Sequence, residues 1–320
     1  MDNKLTKSRL SNLIAYDWIF MLVVIIVAVV VWEVVYAGVS AKLTVGQKFS
    51  YYYDEGLYGG NDSAFSQILE DDKTFSYDVL DVHGESLNEN FNVLTLRLSV
   101  QDADIMFSSI KGNLLEGDVL DSRATGIIDT YGMYAMEDLL ADAKAYVSRF
   151  LVNDDLDNPV FDDDAIERNF LERMKSDNRY RAESAKREGV KLEKERIAKL
   201  VSEVSFFEKL LEYDNGKSES DSLFFSHVRY SAFAQTQQSQ DEKDRYAELA
   251  KTQTKKKYGL KIEKLVGGQK NASDYLRLAG AETSKDVVLM VFDFKAQQPD
   301  LQFETISFIN TVVRRFGSPI

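Results

Sequence analysis

Residues Phe49 to Gly60 read FSYYYDEGLYGG, passing from aromatics to two carboxylates to three glycines. Phe49, Tyr51 and Tyr53 alternate with Ser50, Tyr52 and Asp54, the period-two pattern of a strand, and Gly56, Gly59 and Gly60 suit the loop that leaves it. Downstream, Asp62 can cap a short helix through Glu70 that carries Phe65, Ile68 and Leu69 on one face. The stretch Thr74 to Val82 alternates again and predicts a second strand. Strand, helix and strand make a βαβ unit, which sets the fold class as α/β.

Upstream lies an apolar run from Trp18 to Ala37 whose one charged residue, Glu33, is near its end. At ~1.5 Å per residue such a run spans the ~30 Å hydrocarbon core of a bilayer. Trp18 at one border and Trp32 and Tyr36 at the other suit the membrane interfaces. Lys4, Lys7 and Arg9 balance Asp2, Asp17 and Glu33, so the net charge of −13 belongs to residues 38–320. A slightly basic tail (1–17) in the cytoplasm, a transmembrane helix (18–37), a spacer (38–48) and an acidic domain outside the plasma membrane is the simplest arrangement. A cleaved signal peptide ending near Val39-Ser-Ala41 is the rival; the long head and the Trp32-Glu33 interruption favour an uncleaved anchor.

With no cysteine, disulfides, thiolate metal ligands and a lipid-modified cysteine are excluded. The acidic balance, without a Lys/Arg stripe, argues against nucleic acid.

The first block runs over 49–152. Leu87 to Val100 fits a helix through Leu87, Phe91, Leu94 and Leu98 and a strand through Leu94, Leu96, Leu98 and Val100; the α/β context favours helix. Ala103 to Ser108 reads as a buried strand, and Tyr131 to Leu151 as an amphipathic helix. Residues 153–257 form a charged helical segment with an expected break at Gly189. Ile197, Leu200, Val204, Phe207 and Leu211 recur at heptad-like spacing, a seam for packing on the domain or for docking a partner helix. Residues 258–320 return to α/β, with a strand from Val287 and a helix over Leu301 to Phe316.

Catalytic signatures are missing: there is no phosphate-cradling GxxxxGK[ST], no GxGxxG, no GxSxG and no HExxH, and His83 and His227 are the only imidazoles. No catalytic residue, metal ligand or cofactor is assigned. The acidic run 154–164 lacks the glycine and ligand spacing of a calcium loop, and Asp164 to Glu167 reads as a capping box. Ligands of open α/β sheets bind beyond the carboxyl ends of the strands, where Tyr53, Asp54, Glu55 and Tyr58 fall, with Ser108 and Ser109 in the equivalent place on the next strand. Tyrosine rings beside carboxylates suit a polyhydroxylated ligand: the ring covers an apolar face while the carboxylates accept from hydroxyls. The plainer reading is an exposed turn with core tyrosines behind it.

The order of a strand, an Asp/Glu-Gly loop, a helix and a strand over 49–82, closing on Asp102-Ala-Asp-Ile-Met-Phe-Ser-Ser109, resembles the first lobe of bacterial extracellular solute-binding proteins of the sugar type. Tyr258-Gly-Leu, Val287-Val-Leu-Met-Val-Phe and Phe303 to Val313 are similar to the strand and helix that close such proteins. The resemblance implies a periplasmic-binding-protein-like (type II-like) α/β domain. Here it is reduced, with charged helix where a second lobe belongs and a membrane helix in place of a lipid anchor. The implied function is binding a carbohydrate or similar solute, or assisting the permease of an ABC transporter, without catalysis. Two other functions fit the residues: an envelope assembly factor docking through the helical middle, and a carboxylate-dependent glycan hydrolase.

Overall fold

The computed structural model of the chain describes residues 18–39, 47–54, 56–59, 62–87, 96–97, 103–111, 123–175, 177–229, 255–278, 280–293 and 303–318. It divides into two units, Met1–Leu43 and Thr44–Ile320.

The first unit holds helix α1 (Trp18–Val39, 22 residues). Its described side chains, Trp18 and Phe20 through Trp32, are apolar and exposed, up to 70% for Phe20. Among the described residues no helix is long and apolar enough to cross a membrane. The helical backbone itself continues to Val39.

The second unit is built on a six-stranded mixed sheet of order β3-β1-β4-β8-β6-β5. Strands β1 (Lys48–Tyr53), β3 (Asp81–Ser86) and β4 (Ile105–Ser109) are parallel. Strand β8 (Val287–Val291) runs antiparallel between β4 and β6 (Lys256–Lys261), and β5 (Phe224–His227) pairs with β6 across a bulge. A separate ribbon joins β2 (Leu57–Gly59) to β7 (Leu276–Leu278). Helix α2 (Asp62–Asp71) connects β1 to β3, completing the expected βαβ unit.

The strand after α2 lies later than Thr74 to Val82. Residues 74–80 are turns and irregular backbone whose Phe75 and Val79 pack on the core. The strand that pairs with β1 is polar and carries Gly84 opposite Tyr51. A Cβ at Gly84 would lie 2.4 Å from the Tyr51 ring, so this glycine makes room for the ring whose hydroxyl reaches Ser66 at 3.0 Å.

Of Leu87 to Val100, Leu87 is in neither helix nor strand, 96–97 are helical, and the rest lies outside the described residues. The helix expected over Tyr131 to Leu151 begins five residues late, and a separate helix lies just before its expected start. Helix α3 (Arg123–Thr130) ends, the chain bridges Met133 to Phe292, and α4 (Met136–Val147) then begins.

The charged middle segment is not an insertion apart from the domain. It contains α5 (Asp163–Arg173), α6 (Glu183–Asp214) and the sheet-edge strand β5. Asp162, whose carboxylate accepts from Ala165 N at 2.9 Å, caps α5, so the capping box expected at Asp164 starts two residues too late. Helix α6 passes through Gly189 without a break. The glycine is there for contact: a Cβ would come within 2.2 Å of Phe170 Cζ and 2.7 Å of Tyr180 Cε1. Alanine normally favours a helix interior by ~1 kcal/mol over glycine. Gly189→Ala is nevertheless expected to lower stability by about 1–3 kcal/mol through overpacking, read from the urea midpoint.

The proposed docking seam is taken up internally. Ile197, Leu200, Val204, Phe207 and Leu211 are all buried in the domain's main core with α4 and α7 (Glu304–Phe316). They are not a free surface for a partner helix, because their heptad-like spacing is matched by the domain's own apolar faces.

Between α5, α6 and the 74–80 segment lies a buried charge network. Glu193 accepts from Tyr77 Oη (2.9 Å), Arg173 Nη2 (2.6 Å) and Arg196 Nε (3.0 Å) on one oxygen, and from Arg196 Nη2 (2.9 Å) on the other. Arg173 also donates to Asp78 Oδ2 at 2.5 Å, and Arg196 to the Tyr146 hydroxyl at 2.8 Å. Asp78 Oδ1 has no hydrogen-bond donor among the described residues; Arg179 Nη2 is 3.9 Å away.

Candidate functional site

The carboxyl ends of β1 and β4 bring together Asp54 and Ser108, as the sequence pattern implies. Asp54, 1% exposed, accepts from Ser108 Oγ at 2.7 Å and from Arg123 through Nε (2.9 Å) and Nη2 (2.9 Å). This bidentate geometry is the strong form of a guanidinium–carboxylate pair. It commits Asp54 to holding the first turn of α3 on the sheet, which leaves little of the carboxylate to offer a solute.

The neighbouring candidates do not gather around it. Tyr53 is in the core, stacked on Phe107 at 5.3 Å between centroids. Ser109 Oγ accepts from Lys111 N at 3.0 Å. The backbone of Tyr58 pairs with Arg277 in the β2–β7 ribbon, its side chain is not among those described, and Glu55 lies outside the described residues. At the other end of α3, Asp129 meets His227 of β5 at 3.1 Å. The two ends of α3 are thus tied to strands at opposite sides of the sheet. Nothing in the flanking sequence of His227 marks this pair, because Asp129 is 98 residues away.

The chemistry expected near Tyr58 occurs instead at the opposite end of the sheet. Where β8 and β5 end and β6 begins, an open cavity of about 480 Å³ is lined by Tyr134, Asp138, Asp142, Arg229, Tyr258 and Asp293. The backbone positions these groups. Tyr134 N donates to Val291 O (2.9 Å) and Asp293 N to Gly132 O (2.6 Å), which fixes the α3–α4 connection against the end of β8. Asp138 and Asp142 follow one turn apart on α4, so both face the same side.

The Tyr134 hydroxyl donates to Asp142 Oδ2 at 3.2 Å and lies near enough to the Asp293 carboxyl to hold its pKa down. One phenolic hydrogen cannot serve two ionised carboxylates. Burial raises the Asp293 pKa, the nearby Asp142 and Asp138 charges raise it further, and Tyr134 and Arg229 oppose the rise. Burial likewise raises the Tyr258 hydroxyl, with Arg229 and Lys256 working the other way. Asp138 is neutralised by Lys256 Nζ, 2.7 and 2.9 Å from its two oxygens. Arg229 makes no ion pair among the described residues and donates to Tyr131 O at 3.4 Å.

The acidic run 154–164 is folded onto its own chain. Asp155 accepts from the amides of Asp157 and Asn158, and Asp157 holds Ser205 (2.7 Å) and Lys209 (2.6 Å) of α6. Among the described residues no group of three or more histidine, cysteine or carboxylate side chains could hold a metal ion. No protein-family model, curated protein or solved structure matches the chain.

Proposed function

We propose that the chain is a membrane-tethered, extracytoplasmic α/β domain that binds a small polar solute without converting it, and that it is a reduced relative of the solute-binding proteins it resembles. The observation that carries this reading is the cavity in which two tyrosines, three aspartates and an arginine converge. Its volume of about 480 Å³ falls within the range of small-molecule sites. Apolar ring surface beside hydrogen-bonding carboxylates suits a sugar or another solute rich in polar groups.

Further support comes from the sheet. Of the elements that carry the resemblance, β1, α2 and β4 pack together, and β8 and α7 close the same core. The tether rests on α1, whose 22 residues reach about 33 Å at ~1.5 Å per residue, and whose described side chains present apolar surface that water disfavours. A plasma-membrane anchor with the N-terminus inside leaves the acidic domain outside, where it can present solute to a permease. Docking through α6 is the less favoured function, because its seam is buried.

Two measurements test this. Protease added to intact cells is expected to digest the 44–320 domain while the apolar segment stays with the membrane fraction after carbonate washing. Protection of the domain, or its release by carbonate, overturns the placement. The full chain in detergent is expected to show a raised unfolding temperature with at least one small polar solute, about 2.7 kcal/mol of stabilisation at a hundredfold excess over Kd. No response to sugars, amino acids, amines or carboxylates overturns the binding function.

A further inference from the structure

Resting on that reading of the cavity, we infer that its charges select a zwitterion, a small solute carrying both a carboxylate and an ammonium group, over a neutral sugar. Once the Lys256–Asp138 pair is set aside, one guanidinium and two carboxylates line the space. Arg229 is the cation: it has no ion-pair partner among the described residues, and its planar fork matches a ligand carboxylate in two hydrogen bonds.

Opposite in charge, Asp142 and Asp293 line the same space, and the one hydrogen of the Tyr134 hydroxyl is donated to Asp142. A third positive group placed between them relieves their mutual repulsion and supplies the donors that one phenol lacks. An ammonium does this with three N–H bonds. A sugar hydroxyl brings one donor and no charge, and leaves Arg229 without a counter-ion. The tyrosine rings of Tyr134 and Tyr258 offer the faces against which an alkyl stem or an ammonium is held. Because two carboxylates face one guanidinium, a ligand with a second ammonium is the tighter binder.

The test is isothermal titration of the full chain in detergent with alanine, lysine, glucose, maltose, acetate and ethylammonium as separate probes. Lysine is expected to bind most tightly, then alanine, with the single-charge probes and both sugars at least tenfold weaker. Arg229→Gln and Asp293→Asn, both at exposed positions, are expected each to weaken lysine at least tenfold with the unfolding temperature of the ligand-free chain unchanged. Sugars binding as tightly as lysine, or lysine binding that survives both substitutions, overturns the charge selection and leaves solute binding standing. Silence from every probe overturns both.

Discussion

Glu193→Gln is expected to cost about 3–5 kcal/mol at pH 7, the loss that follows when one member of a buried ionic group is neutralised and the others are left without a counter-charge. Glu193 is 0% exposed and accepts four hydrogen bonds, from Tyr77, Arg173 and Arg196. A glutamine amide keeps one acceptor oxygen and turns the other position into a donor facing an arginine donor. Two guanidinium groups then face each other with Asp78 and Glu304 as the nearest remaining acids.

The pH dependence follows from the same contacts. Burial alone would raise the Glu193 pKa, but the Arg196 charge, its hydrogen bonds and Arg173 outweigh burial and hold it below the ordinary value of 4.5. Its stabilisation is therefore fully present above the unfolded value of about 4.3 and is lost as pH falls through the folded value. Asp78 runs the other way: burial raises it above 3.8 against the pull of Arg173, so its own contribution is present in acid and lost as pH rises through its folded value. Urea unfolding at pH 7 and at pH 3.5 separates the two. The gap between wild type and Glu193→Gln should narrow in acid; a gap under about 1 kcal/mol at pH 7, or one that stays constant, removes Glu193 as the anchor of the network.

How much of this was legible in the sequence depends on the range of the determining contact. Strand β1, helix α2, strand β4, strand β8 and helix α7 declare themselves through local apolar periodicity, and all are present near their expected positions. Strand β3 does not, because DVHGES owes its place to pairing with β1 and to Gly84 yielding to the Tyr51 ring, a contact across 33 positions. Strand β5 is hidden for the same reason, since Phe224 to His227 has no partner in sequence until Lys256. Gly189 shows the opposite error: a glycine inside a helical pattern suggests a break, and only the rings of Phe170 and Tyr180 reveal that it is packed against.

The candidate site divides in the same way. Asp54 and Ser108 were legible as strand ends that converge, because parallel neighbours put their carboxyl ends at one edge of the sheet. Arg123, which consumes Asp54, was not, because nothing local announces a pairing partner 69 residues on. The cavity at Tyr134 draws on residues from four separate stretches between Tyr134 and Asp293, each unremarkable in its own context. Its chemistry, tyrosines beside carboxylates, is the chemistry expected for the 53–58 loop, displaced to the other end of the sheet.

Phe308→Ala is the second large effect, about 3–5 kcal/mol, the cost of deleting a fully buried phenylalanine together with the cavity it leaves. Phe308 lies on α7 at 0% exposure. Its ring centroid lies 5.2 Å from Phe49, 5.7 Å from Tyr51, 5.8 Å from Phe65, 6.2 Å from Phe107 and 6.4 Å from Phe75. These rings come from β1, α2, β4 and the 74–80 segment, so one side chain holds the βαβ unit and the C-terminal helix to a common centre. Each favourable ring pair adds ~0.5–1.5 kcal/mol beyond burial, which places the expected loss toward the upper end of the range. Phe308→Leu retains most of the volume and is expected to cost about 1–2 kcal/mol. The two variants compared in urea, with the slope m unchanged, give the size of the aromatic contribution as their difference. Equal losses would show that α7 is held by its other buried residues, Ile306, Ile309 and Val312, with Phe308 as one filler among them.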